Sequence, residues 1–296
     1  MRVREKIKRT VGERIVYSIA FVILAIYAAF ILYHFYFLFQ LATKGSPQEY
    51  DKAVLTDTLA TWSKNFTLRN FIDAFSAFED DFGNTFLGMT FNSLWFAIGS
   101  ELIVLFFQAG VAYVICKYNF KGRMLIYNVV IVRMMIPIVG TLPSTYRAYD
   151  MLNMLNSPLI LLTATDCLGG GNFLILFAFF KAISWEYAEA AFIDGANHFD
   201  VYFRIMLRMA LPAISVLFIT GFIARWNEYL NISIFMPQLP TLSYGLYVYE
   251  QDMKYAGGNM PAYFAGVFIA TIPCITLFII FQNSIMQTVH FGGIKG

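Results

Sequence analysis

Residues 189–212 read EAAFIDGANHFDVYFRIMLRMALP. This short stretch gathers the carboxylates Glu189, Asp194 and Asp200, the turn formers Gly195 and Asn197, His198, and the cations Arg204 and Arg208, between two long apolar runs. Two readings fit it: an amphipathic loop solvated on one face, or a docking element for a partner protein. Residues able to do covalent chemistry are sparse elsewhere. His34, His198 and His290 are scattered, and neither an HExxH nor a GxSxG pattern occurs. Cys116, Cys167 and Cys274 sit in apolar surroundings without metal-ligand spacing, as small core residues do, so no metal site is expected. A GxxxxGK[ST] loop is also missing, so the chain has no such cradle for ATP phosphates. A non-catalytic protein is expected.

Five ionisable residues fall inside apolar stretches: Glu101, Arg133, Asp166, Arg225 and Glu228. A charge in hydrocarbon is costly, so each needs a partner or a polar path. Arg225 and Glu228 are three apart on one helical face and can pair with each other. Alternatively they form a polar wall of a solute pathway together with Asp166, Asn172, Asn227 and Asn231, with Trp226 and Tyr229 offering aromatic faces.

These residues must be positioned by membrane-spanning helices. The chain has 296 residues, 58% hydrophobic and 14% charged, against about 25% charge in soluble domains. Six stretches reach the length of about 20 residues needed for a span: 15–40, 88–116, 124–145, 158–181, 212–236 and 261–288. The first follows the basic start MRVREKIKRT but is too long for a signal peptide, and reads as an uncleaved anchor. Basic residues cluster in the 1–14 tail, the 117–123 loop, the 182–211 loop and the 289–296 tail. This places both termini in the cytoplasm of an all-α polytopic protein. The 41–87 loop then lies outside. Its LRNFIDAFSAF segment sets Phe71, Phe75 and Phe78 on one face, as in a helix lying on the bilayer surface. Gly169-Gly170-Gly171 within the fourth stretch reads either as a helix break or as a close-packing site. A net charge of +2 gives no footing for nucleic acid.

Within 182–211, Ser184 caps a first helix that ends at Gly195, a residue suited to a left-handed turn. Asn197 and Asp200 have capping-box spacing for a second helix, on which Phe199 and Phe203 share a face. Ala188, Ala190 and Ala191 give the first helix a small-residue surface that a partner can approach. Pro212 opens the next span.

These residues bring a family into view. Glu189-Ala190-Ala191, Asp194-Gly195-Ala196, Phe203, Ile205, Leu207 and Pro212 resemble the EAA loop of ABC importer permeases, approximately EAAxxDGAxxxxxFxxIxLPxxxP. Arg208 stands where that pattern has its first Pro. Asn92-Ser93-Leu94, AYVICKYNFKGR at 112–123, MIP at 135–137 with LNMLNS at 152–157, RWNEYL at 225–230 and the FGGIKG tail are similar to segments of the carbohydrate branch. The tail looks like that of the shorter maltose-transporter permease type. Asn153 replaces a Gly of the pattern.

The resemblance implies a type I ABC importer permease fold with a cytoplasmic helix-turn-helix coupling loop. It implies pairing with a second homologous permease. Two ATP-binding subunits would use ATP and Mg and dock on Glu189, Ala190, Ala191, Asp194, Gly195, Ala196, Phe199 and Phe203, and no cofactor would be held by this chain. An extracellular solute-binding protein would deliver a sugar or oligosaccharide, with Asp166, Asn172, Arg225, Trp226, Asn227 and Glu228 as pathway candidates. The location implied is a bacterial plasma membrane, in contact with lipid. A peptide or polyamine permease is the nearest alternative, opposed by WNEYL and the tail. A secondary transporter is a further one, opposed by the missing inverted repeat.

Overall fold

The computed structural model describes residues 10–63, 65–78, 83–136, 139–164, 166 and 168–292, and of 164, 254, 256 and 284–292 the backbone alone. The basic residues up to Arg9, Lys64, Glu79 to Asp81, Pro137, Cys167, the His290 side chain, Lys295 and residues 293–296 of the tail lie outside the described residues. Among those described, every regular element is helical, and the chain divides into two units.

Unit 1 comprises residues 1–77 and 252–269. Helix α1 (Val11–Ala42) begins at a capping box: Thr10 Oγ1 accepts from the Glu13 N–H at 3.3 Å, and Glu13 Oε2 accepts from the Thr10 N–H at 2.8 Å. Its 32 residues span about 48 Å, longer than the hydrocarbon layer. It is exposed as far as Tyr36 and becomes buried at Gln40–Ala42. Ser46 caps α2 (Pro47–Leu55), with Pro47 in the first turn, where its missing N–H costs nothing. Asn70, on α3 (Arg69–Ala77), donates from Nδ2 to the carbonyls of Ala42 (2.8 Å) and Lys44 (2.7 Å), tying α3 to the end of α1. The three aromatics of the expected stripe differ in burial. Phe71 packs on Phe39 and Phe268, at centroid separations of 6.2 and 5.9 Å, and Phe75 is half exposed.

Unit 2 holds α4 (Phe86–Lys117), α5 (Arg123–Met135), α6 (Leu142–Met151), a 3-10 stretch (Pro158–Ala164), α7 (Gly170–Ala182) and α8 (Glu186–Ile193). Next comes one continuous helix, His198–Trp226, composed of α9 (His198–Asp200), a π-helical segment (Val201–Met206) and α10 (Leu207–Trp226). It is followed by α11 (Leu230–Phe235), α12 (Leu242–Ala256) and α13 (Met260–Gly292), the last two crossing between units. Phe78, the third member of the aromatic stripe, is buried here against Tyr249. Helix α4 is the centre of the core and contacts α7 and α10. Ala109 and Ala112 of α4, Phe173, Leu176 and Phe180 of α7, and Met206 and Ala210 of the long helix are all buried together, small residues letting the backbones approach.

Among the described residues, four helices are long and apolar enough to cross a membrane: α1, α4, His198–Trp226 and Met260–Asn283. The other two expected spans are interrupted. The described residues of 124–145 form α5 and the start of α6, with Gly140 between them at φ +79°; α5 alone, about 20 Å long, is too short to cross. Residues 158–181 form the 3-10 stretch and then α7, a 13-residue apolar helix. Gly169–Gly171 is thus a helix break, with Gly170 at φ +52° starting α7. A β-carbon at Gly169 would meet the Asp166 carboxylate. Pro212 does not open a span. It lies inside α10, and the helix runs through it from the loop. Helix α12 has no counterpart among the expected spans, because its LSYGLYVYEQDMKYA sequence is too polar to register as one.

Candidate functional site

The 182–211 loop is built by two terminal motifs. After α8, Gly195 adopts φ +83°, its N–H bonds to the Phe192 carbonyl (3.0 Å), and the Ala196 N–H bonds to the Ala191 carbonyl (2.9 Å). This is the paired-bond Schellman ending, and it uses Gly because an L side chain strains at positive φ. One residue later Asn197 Oδ1 accepts from the Asp200 N–H (2.9 Å), and Asp200 Oδ2 accepts from the Asn197 N–H (3.4 Å), so the expected capping box is present. Ser184 Oγ accepts from the Glu186 N–H at 3.3 Å.

Burial sorts the alanines. Ala188 and Ala191 face this chain's own core, so of the three only Ala190 belongs to the outer surface. Glu189, Ala190, Asp194 and Gly195 are exposed, Ile193 reaches 87% exposure, and Ala196 is half-buried. Phe199 and Phe203 share an exposed face that borders an apolar groove formed with Phe106 and Val114 of α4. The loop is fastened at both ends by the end of α4. Lys117 Nζ donates to the Ile183 carbonyl, and Tyr118 Oη lies 2.9 Å from His198 Nδ1.

Four of the five charges in the apolar stretches form two ion pairs. Arg225 does not pair with Glu228; its Nε donates to Glu101 Oε2 on α4 at 3.1 Å. Glu228 Oε1 instead accepts the Asn231 N–H at 3.0 Å, in the first turn of α11. The helix ends at Trp226, so the two side chains no longer share the regular three-residue face that would bring them together. Arg133 of α5 forms a two-pronged bridge to Asp166 (2.6 and 2.8 Å), and Gln108 of α4 donates to the carbonyls of Asp166 and Gly169, satisfying backbone left open by the helix break.

Arg225 and Glu228 line a cavity of about 550 Å³ in unit 2, with Glu101, Tyr149 and Asn231. Asp166, Asn172, Trp226 and Asn227 do not. Asp166 is engaged by Arg133. Asn172 is half-buried on α7. Trp226 is a core residue, 2% exposed, stacked on Phe222 and donating from Nε1 to the Ala270 carbonyl. Asn227 donates back to the Ile223 carbonyl of its own helix. Tyr229 stacks on Tyr247. Ser100, Thr141, Thr145 and Thr163, absent from the sequence expectation, also line the cavity. Their signal is weak in sequence because the wall is assembled from four separate segments.

Residues 107–290 match the family described as the binding-protein-dependent transport system inner membrane component. The chain is 29% identical to the sulfoquinovosyl glycerol transport system permease protein SmoH of Agrobacterium fabrum, over 83% of this chain and 84% of that protein. It is 27% identical to the diacetylchitobiose uptake system permease protein NgcG of Streptomyces coelicolor (68% and 67% covered), and 28% identical to the arabinooligosaccharides transport system permease protein AraQ of Halalkalibacterium halodurans (81% and 83%). Its fold is similar to that of a chain in the crystal structure of a bacterial ABC transporter involved in the import of the acidic polysaccharide alginate, with a TM-score of 0.73, 20% identity, and coverage of 94% of this chain and 99% of that one. With the family model covering more than half of its length, this multi-pass membrane chain belongs to the inner-membrane permease components of binding-protein-dependent transport systems.

Proposed function

We propose that this chain is one of two homologous permease subunits of an ATP-driven importer, carrying a sugar or oligosaccharide into a bacterial cytoplasm. The similar permeases named above all serve a sugar derivative, which supports carbohydrate over peptide or polyamine. An extracellular binding protein hands over the sugar, and two separate ATP-binding subunits, using ATP and Mg, dock on the 182–211 loop. Both termini and that loop face the cytoplasm. The observation that carries the docking assignment is the exposed, rigidly terminated turn at 189–195. Its acids and Ile193 are exposed, while Ala188 and Ala191 are buried in the core and the helix that carries them packs on the start of the long helix.

Membrane-reconstituted complex tests the reading. ATP hydrolysis should require the ATPase subunits and rise when sugar-loaded binding protein is added. Sugar uptake that persists in cells lacking this chain, or hydrolysis stimulated by a peptide-loaded binding protein instead, would defeat it.

A further inference from the structure

The cavity lined by Glu101, Arg225 and Glu228 has a definite sign. Glu101 is 2% exposed, and one of its carboxylate oxygens takes the Arg225 bond while the other, Oε1, is buried without a hydrogen-bond partner. The carboxylate fits there because position 221, one helical turn before Arg225, is glycine: a β-carbon at Gly221 would overlap it. Glu228 holds a backbone N–H of α11, and the ion pairs among the described residues leave it without a basic partner. The cavity wall therefore presents two carboxylates against one guanidinium, and that guanidinium is already engaged. The remaining polar groups are hydroxyls and the Asn231 amide, which serve neutral ligands equally well as donors or acceptors.

Resting on the permease reading, we propose that this cavity is an aqueous subsite for neutral, hydroxyl-rich solutes, in which Glu228 discriminates against anionic sugars while Glu101 holds Arg225 and offsets its charge. An acidic sugar entering it meets Glu228 without a free cation to offset the repulsion, and low-dielectric walls strengthen that effect. A neutral polyol meets acceptors for its hydroxyls.

The sign is measurable without knowing the cargo. Thr145→Cys, in a chain with Cys116, Cys167 and Cys274 replaced by Ser, places one thiol on the cavity wall of the assembled complex. It is reacted with a cationic and an anionic methanethiosulfonate of similar size, each rate being divided by that for mercaptoethanol. The cationic reagent should be favoured about tenfold or more, and Glu228→Gln should remove most of that preference while assembly is unchanged. Equal ratios, an anionic preference, or no reaction with either reagent in both the ATP-free and ATP-bound states would overturn the proposal. If the same Thr145→Cys complex still imports sugar with its binding protein, the failure belongs to the subsite and the transporter reading stands.

Discussion

Tyr118 and His198 lie 80 positions apart in the chain, yet Tyr118 Oη and His198 Nδ1 are 2.9 Å apart, and their rings meet edge to face at 5.6 Å. With the neighbouring Lys117–Ile183 bond, this contact makes the end of α4 a clamp on both ends of the 184–197 loop. On the proposed reading the loop receives the stroke of an ATPase and must be stiffly joined to the helix it moves; α4 is the centre of the unit 2 core.

The clamp gives the first expectation. Tyr118→Phe removes one hydroxyl, which meets His198 Nδ1 at 2.9 Å and Tyr113 Oη at 3.5 Å, and keeps the ring contacts, at a cost of about 0.5–1.5 kcal/mol per hydrogen bond. It should leave assembly and basal ATP hydrolysis intact while lowering sugar uptake per ATP severalfold. Lys117→Met, which removes a charge-assisted bond, should do more. The measurement is the ratio of transport to hydrolysis in proteoliposomes; an unchanged ratio in both variants would remove the clamp from the coupling path.

A second expectation concerns the turn. At φ +83°, Gly195→Ala costs about 1–2 kcal/mol of local strain, and a β-branched Val costs more. Gly195→Val should insert in the membrane but lose the ATPase subunit on detergent extraction, with Gly195→Ala intermediate. Glu189→Lys, on the exposed face, should also release the subunit without disturbing the fold. Full retention of the ATPase by all three variants would argue against docking at this turn.

The loop was legible in the sequence because its determinants are local. A glycine at a left-handed C-terminus and an Asn–Asp capping box are set by residues within five positions of one another, and both occur where spacing put them. The charge partners were not. Arg225 and Glu228 satisfied a helical spacing rule, but the helix stops between them, and the partner of Arg225 is 124 positions away on α4. Two opposite charges in different apolar stretches were a usable hint, and Gly221, one turn before Arg225, was a second. Trp226 misleads for a related reason: an aromatic side chain beside polar residues looks like a ligand platform, whereas its indole N–H is consumed by the Ala270 carbonyl. The breaks at Gly140 and Gly169 were visible as glycines, but hydropathy averages over them.

A third expectation follows from the Glu101–Arg225 pair. Removing one member strands a buried charge, which typically costs 3–5 kcal/mol, whereas removing both can be nearly neutral. Glu101→Leu and Arg225→Leu should each lower the midpoint of thermal unfolding in detergent, and the double variant should recover most of the loss. Gly221→Ala, by displacing the Glu101 carboxylate, should behave like a weakened Glu101 variant. Additive losses in the double variant would show that the two groups are not energetically coupled.

The last expectation fixes the orientation. The bias of Lys and Arg toward the 117–123 and 182–211 loops predicts those loops in the cytoplasm and α2 outside. Two residues suit a labelling test because they are highly exposed and bear no structural bond: Leu55, 86% exposed at the end of α2, and Ile193, 87% exposed at the end of α8. Each is replaced by Cys in a chain without the native cysteines, and intact cells are treated with a membrane-impermeant maleimide. Leu55→Cys should react at once; Ile193→Cys should react only after the membrane is opened with detergent. Because both side chains are free of hydrogen-bonding duties, neither substitution should disturb the fold, so a silent site reports position rather than misfolding. The converse pattern would invert the chain in the membrane and put the turn at 189–195 on the side without ATP, ending the docking assignment together with the orientation.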